Sequence, residues 1–560
     1  MKKAVFLLFI IFLYNYSIFS FKCGADLIKK KKKYKKIIPK RNKDKRGLSS
    51  EYTPIKIKVD YTYLESQKKL SSEILGKLKN IMEDVINHLS ALLSVKHEED
   101  LSTDQDEIDE YCDIPKVSSE IESFYENYDL LIFPMIAKTM DEETNAAAWG
   151  CMYLKDDKPI AGVVEINKNL SFNKRDTNYY MKYLLMHELS HVLGFGSQTF
   201  EDLKMLETET NNGITKTYIS TPKVLEKARI HFNCESIKGV PVENQGGEGS
   251  ALSHWESRYM LGDYMISNDY PEMVISDITL AFFEDTGFYK ANYYTGGLFR
   301  FGKNQGCGFL EEECVTNNGK STSFPNEFCT ERETFFCGSS HVSRGDCYIV
   351  EYSRIDSQFR HFNNKKLGGT SSADYCPVMN TYSDDDLDNQ YEFPQNCKYG
   401  AKLYGDVQEK IGDKSVCFET SLTSKSYDQY LDDTYSICYE IQCDKANKQF
   451  DVYIGNNVVT CPEERAVLFN PKGFSGKIKC PGYHMVCTSE DADKWCNELL
   501  DCIDKRSLAD LNTYKYINSQ IKDGSNYESY ESEEDISINL NLNKFILLFE
   551  IIFNQGFATS

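Results

Sequence analysis

Residues 187–191 read His187-Glu188-Leu189-Ser190-His191, and few five-residue strings restrict a fold so sharply. On an α-helix, positions i and i+4 share one face, so both imidazoles can grip one Zn²⁺ at about 2.0–2.1 Å. Glu188 then projects beside them, where it can take a proton from a water that the ion activates. The spacing predicts a helix from Tyr179 to Leu193, anchored by the apolar Tyr183-Leu184-Leu185-Met186 and stopped at Gly194. A plain core histidine pair would leave a glutamate buried between them for no purpose.

Two histidines and a water leave a tetrahedral zinc one ligand short. The sharp Gly194-Phe195-Gly196 end suits a chain that turns beneath the metal toward a further ligand. The compact HExxHxxGxxH spacing fails, because Ser197 stands where its third histidine would be. Of His88, His97, His231, His254, His341, His361 and His484, the one with suitable surroundings is His254, in Gly246-Gly247-Glu248-Gly249-Ser250-Ala251-Leu252-Ser253-His254-Trp255-Glu256. Met265 follows in Asp263-Tyr264-Met265-Ile266-Ser267.

Together these segments resemble the leishmanolysins, surface metalloproteases of the metzincin group whose third zinc histidine is delayed by a long insertion. The similarity extends through Ile278-Thr279-Leu280-Ala281-Phe282-Phe283-Glu284-Asp285 and into Ala373-Asp374-Tyr375-Cys376-Pro377-Val378, Lys414–Phe418, Cys438–Cys443 and Gly473–Pro481, so that it spans roughly Tyr52 to Cys502. It implies an α+β, metzincin-type zincin catalytic domain with a mixed sheet and an active-site helix, then a disulfide-rich, mostly β or irregular domain. It also implies His187, His191 and His254 as ligands of one zinc per chain, Glu188 as general base and Met265 as the residue of the methionine turn. Asn145–Trp149 through Gly162 resembles the edge-strand region above the zinc helix, which could hold an extended peptide by main-chain hydrogen bonds.

Cysteine usage and the N-terminus set the compartment. Nineteen cysteines suit an oxidising environment. Lys2-Lys3, the apolar Ala4–Leu13 and small residues at Ser17 and Ser20 have the layout of a secretory signal peptide, taken as 1–20. Residues 1–46 carry +13 and the remainder −34, so the net −21 excludes a general nucleic-acid binder. The lysine-rich 21–46, ending in Lys45-Arg46, is expected to repel itself, stay unfolded and act as a removable propeptide. Its loss would remove Cys23 and leave an even eighteen cysteines. A thiolate there could fill zinc's open position as a zymogen switch, an arrangement the resemblance supports.

The remaining organisation reads as a catalytic domain over 47–296 with an insertion at 197–245, a cysteine-rich domain over 297–503, and an acidic tail over 504–560 with a short apolar end. Phe545–Phe553 is interrupted by Glu550 and is too short to span a bilayer. It could serve a C-terminal lipid anchor attached near Gly524-Ser525-Asn526. Asn169-Leu170-Ser171 is a glycosylation sequon. The expected protein is a secreted or cell-surface zinc metalloendopeptidase, monomeric, acting on protein or peptide substrates, with a role in adhesion or in degrading host or prey proteins. The alternative is an inactive zincin scaffold used for adhesion.

Overall fold

The computed structural model describes residues 34–37, 52–98, 101–138, 140, 144–170, 177–211, 214–245, 250–268, 270–293, 299–332, 335–380, 395–402, 407–424, 435–444 and 446–487. The signal segment, Cys23, Gly246–Gly249 and the tail beyond residue 487 lie outside them.

The N-terminal half is built on a five-stranded sheet. Its strands are β1 (Lys35–Ile37), β2 (Ile57–Val59), β3 (Leu130–Ile136), β4 (Ala146–Leu154) and β5 (Pro159–Ile166), in the order β1-β4-β5-β3-β2. β4 and β5 are antiparallel, and the other pairs are parallel. The central β3, Leu-Leu-Ile-Phe-Pro-Met-Ile, is buried along its whole length, as expected of a strand covered on both faces. Alternation divides it cleanly. Leu130, Ile132 and Ile136 face one core, while Leu131, Phe133 and Met135 face a second. Val164 and Ile166 of β5 join the first core, and Ala161 and Val163 join the second.

Four helices matter to the site or its frame. α1 (Ser72–Leu92) starts where the Ser71 side chain accepts from the Ile74 amide at 3.3 Å. α2 (Gln105–Cys112) covers the second core and is joined to β4 by the Cys112–Cys151 disulfide. α3 (Thr177–Val192) lies on the first core and carries the His-Glu-Leu-Ser-His string. Its approach to the sheet requires Gly162, since a Cβ there would lie 2.2 Å from Val192 Cγ1. α3 ends at Gly194, whose φ of 116° belongs to the left-handed region. The Phe195 amide reaches back to the Ser190 carbonyl at 2.9 Å, closing the helix end. α4 (Asp277–Asp285) is capped by Ser276, which accepts from the Thr279 amide at 3.1 Å.

Among the described residues beyond 297 the α-helices are short, Gly308–Glu311 and Tyr483–Val486. Phe299, Phe301, Phe309, Phe324, Phe328 and Met379 pack into the same core as α1, α3 and α4. A separate core lies within an antiparallel six-stranded sheet, β6 (Ser415–Thr420), β7 (Tyr435–Asp444), β8 (Gln449–Ile454), β9 (Asn457–Cys461), β10 (Ala466–Phe469) and β11 (Lys477–Cys480), in the order β9-β8-β7-β6-β11-β10. Among the described residues sixteen cysteines pair as eight disulfides: 112–151, 234–307, 314–376, 329–347, 337–417, 397–438, 443–487 and 461–480.

Two expectations need correction. Residues 35–37 of the lysine run, expected to stay unfolded, form β1, because their backbone pairs with Met152–Leu154 and the charge of Lys36 finds an acidic partner in Asp157. The strand expected to form an edge above α3 is therefore not outermost along its whole length.

Candidate metal centre

The fold brings all three expected histidines together. His187 and His191 lie one turn apart on α3, and the chain returns 63 positions later to insert His254 against them. Each is nearly fully buried. The Nε2 atoms of His191 and His254 stand 3.0 and 3.2 Å from that of His187. Two nitrogens sharing one tetrahedral zinc at ~2.05 Å would stand ~3.3 Å apart, so the spacing fits.

Tautomer assignment follows from the other side of each ring. His187 Nδ1 is 2.7 Å from the Tyr264 carbonyl, His191 Nδ1 is 2.6 Å from that of Phe195, and His254 Nδ1 is 2.9 Å from that of Ser250. A carbonyl oxygen can only accept, so each Nδ1 carries the proton and each Nε2 presents a lone pair to its neighbours. Burial, together with the His254 ring, drives the pKa of His187 down to about 3 against the opposing Tyr264 carbonyl, which keeps it neutral, the form in which an imidazole can bind a metal. Three converging lone pairs crowded without protons are what a cation requires, and imidazole suits zinc.

These contacts explain the neighbouring motifs. The Gly194 turn does more than end the helix, because it swings the Phe195 carbonyl onto His191. Tyr264 holds α3 twice, through its carbonyl to His187 and through its hydroxyl, 2.8 Å from Ser190 Oγ. Asp263 shapes that turn by accepting from the amides of Met265 at 2.8 Å and Ser276 at 3.2 Å. The indole N–H of Trp255, beside His254, donates to Thr279 Oγ1 at 2.8 Å, and that hydroxyl donates to Asp263 Oδ2 at 2.7 Å. One buried chain thus couples the segment beside His254, the Asp263–Met265 turn and α4. Met265 itself is fully buried, and its carbonyl accepts from the Trp255 amide at 3.0 Å. Glu188 is also buried, one residue from His187.

The C-terminal region supports this turn directly. Glu272 accepts from the amides of Ser340, Val342 and Ser343 at 3.1, 3.2 and 3.1 Å and from Ser343 Oγ at 2.9 Å. Asn396 Nδ2 donates to the Pro271 carbonyl at 2.9 Å. Behind His254, Glu243, Glu256 and Asp374 lie close together, with Asn244 Nδ2 donating to Glu256 at 2.9 Å and to Asp374 at 3.1 Å. Burial raises all three carboxyls, Glu243 to about 8.

Other histidines serve elsewhere: His97 meets Asp129 at 2.8 Å, His231 the Phe301 carbonyl, His341 the Cys417 carbonyl and His361 the Asp374 carbonyl, each also at 2.8 Å. Cys314, His361 and Cys376 also converge, but the two sulfurs are consumed in a disulfide. The carbonyls of Tyr264, Phe195 and Ser250, and the Asp263–Thr279 link, are the functional groups that sequence reading missed. Thr279 alone carried a signal, through its position in the Ile278–Asp285 motif.

A family model described as Leishmanolysin matches residues 64–493. The chain belongs to the leishmanolysin family. It is similar to leishmanolysin of Leishmania major, 27% identical over 368 residues that make up 63% of this chain and 59% of that protein. It is similar to the leishmanolysin homolog of Crithidia fasciculata, 26% identical over 394 residues, 68% of this chain and 58% of the relative. The leishmanolysin-like peptidase of Caenorhabditis elegans is 28% identical over 311 residues, 48% of this chain and 46% of the relative. The chain spans about three-fifths of the length of the leishmanolysins it matches. Leishmanolysins are zinc-dependent metallopeptidases. Eight disulfides suit an extracellular member, and among the described residues no helix is long and apolar enough to cross a membrane.

Proposed function

We propose that this chain is a zinc metalloendopeptidase with a metzincin-type catalytic fold, exported through the secretory pathway and acting on protein or peptide substrates as a monomer. The observation that carries this reading is the convergence of three Nε2 lone pairs, each ring held by a carbonyl on its Nδ1.

His187, His191 and His254 would hold the metal. When bound, zinc supplies a Lewis acid at a site with room in its coordination for water or a carbonyl. Glu188 accepts the proton of the attacking water on its carboxylate and passes it to the nitrogen of the leaving amine. The β4 edge around Ala146–Gly150 offers main-chain groups that can hold the peptide extended. Met265 supports the ligands from beneath. Cys23 lies outside the described residues, and its proposed role is to keep the uncleaved precursor latent. The presence of every ligand and of the glutamate favours an active enzyme over an adhesive scaffold.

Casein and a peptide library test the reading. Cleavage should vanish with a zinc chelator and return with zinc. Glu188→Ala should bind zinc and lose cleavage. A metal-replete Glu188→Ala protein with undiminished turnover contradicts the assignment.

A further inference from the structure

The outer side of β4 is divided by a bulge. Pairing with β5 shifts register between Gly150 and Met152 and again between Met152 and Tyr153. The Tyr153 hydroxyl closes this bulge by donating to the Gly150 carbonyl at 2.9 Å, and Cys151 within it is tied to α2 by the disulfide to Cys112. The end of β4 past the bulge is therefore a rigid, preformed template.

β1 lies on that template. Lys35, Lys36 and Ile37 pair in parallel with Met152, Tyr153 and Leu154. Lys36 Nζ meets Asp157 at 2.5 Å, and the Tyr34 ring meets the Tyr153 ring edge-on at 5.8 Å. Asp157 sits in the β4–β5 turn with a φ of 73°, a conformation that aspartate and asparagine tolerate well. Position relative to the metal follows from packing. Asn145 contacts Tyr180 near the start of α3, and Gly162, the partner of Gly150, lies against Val192, the residue after His191. Moving along β4 toward Gly150 thus follows α3 past both ligands, and β1 begins where that stretch ends. Since β1 is parallel to β4, Tyr34 is at the end nearer the metal.

We propose that the end of β4 at Met152–Leu154, with Asp157 and Tyr153, is an exosite for extended peptides of the pattern aromatic-x-Lys, and that Tyr34–Ile37 is its resident occupant in the uncut chain. Backbone pairing supplies attachment whatever the sequence, while Asp157 selects lysine and Tyr153 selects an aromatic two positions before it. Removal of the basic arm opens the site to a matching stretch of substrate beside the metal. That use rests on the peptidase reading, but the contact itself does not.

Amide hydrogen exchange on the full chain, in the presence of chelator, tests the site without requiring catalysis. In the double variant Tyr34→Ala, Lys36→Glu, the amides of Met152 and Tyr153 should exchange about fivefold faster or more than in the wild type, the scale of one exposed ion pair, while that of Leu154, bonded to the Lys158 carbonyl, should not. A synthetic peptide of residues 31–40 should restore their protection in that variant, and the same peptide carrying Lys36→Glu should not. Asp157→Asn in the full chain should loosen the same amides while its far-ultraviolet spectrum stays that of the wild type. Equal exchange in wild type and double variant, or a peptide that restores nothing, overturns the proposal. Absence of zinc-dependent casein cleavage would instead overturn the peptidase reading and leave the exchange result standing.

Discussion

Thr279→Val removes a single hydroxyl and keeps the side-chain shape, yet it should disturb the metal site from the neighbouring helix. In the wild type Thr279 Oγ1 accepts from the Trp255 indole at 2.8 Å and donates to Asp263 Oδ2 at 2.7 Å, all within a buried layer. Valine leaves the indole N–H without its acceptor and takes one donor from a carboxylate. Each orphaned group costs about 1–3 kcal/mol, more where a charge is involved, so the variant should lose about 3–5 kcal/mol. The damage should reach zinc, because Asp263 fixes the turn whose Tyr264 carbonyl orients His187. Weakening of zinc binding by about 10–100-fold is the scale for losing support of this kind.

The pH dependence provides an internal check. Burial raises the Asp263 carboxyl to about 6, against its hydrogen bonds from Ser276, Met265 and Thr279. Its folded pKa lies above the unfolded value of about 3.9. Between those values the folded protein holds a proton that the unfolded chain has released, so stability falls as pH rises from about 4 to about 6 and then levels. The window is worth about 3 kcal/mol. The hydroxyl matters most when Asp263 is charged, so the deficit of Thr279→Val should be greater at pH 7 than at pH 5. Urea unfolding of the metal-free protein with disulfides intact, followed by tryptophan fluorescence, measures the deficit, and competition with a zinc indicator measures the affinity. A loss below about 1 kcal/mol at pH 7, or the same loss at both pH values, would refute the coupling.

Two further perturbations probe the frame. Glu272→Ala deletes a buried carboxylate that accepts four hydrogen bonds from Ser340–Ser343. It should cost at least about 3 kcal/mol and expose the 338–343 loop to limited proteolysis, whereas Glu272→Gln should retain much of the clasp. Replacing Cys112 and Cys151 by serine opens a cross-link with a sequence separation of 39. The chain-entropy cost is about 4 kcal/mol, which should appear as a lower urea midpoint with the zinc affinity of the folded protein little changed.

How much of this was legible in the sequence depends on the range of each interaction. Helix α3 was legible because its His187/His191 spacing and its Gly194 stop are local. The strands Ile57–Val59 and Pro159–Ile166 also follow local signals, the alternation of Ile55, Ile57 and Val59 with polar residues and the apolar run from Ala161 to Ile166. His254 was not fixed by spacing, since any of seven histidines could close a site across a long insertion, and its neighbours Trp255 and Met265 pointed to it only through family resemblance. The carbonyls that set the ring tautomers were invisible, because every residue has a carbonyl and only the folded turn selects Tyr264, Phe195 and Ser250. The lysine run misled for the same physical reason. Its charge argues for an unfolded segment, and nothing nearby in sequence reveals that Lys36 would meet Asp157 beside an available strand edge. Disulfide partners, some more than 70 positions apart, were equally beyond local reasoning.

The most direct test of the three-histidine site is X-ray absorption at the zinc edge combined with zinc titration of the wild type and of His254→Ala. One equivalent should bind the wild type with imidazole nitrogens at about 2.0–2.1 Å, and the variant should lose one nitrogen and bind far more weakly. Stoichiometric binding of unchanged affinity in His254→Ala, or a shell in which its ring takes no part, would contradict the account.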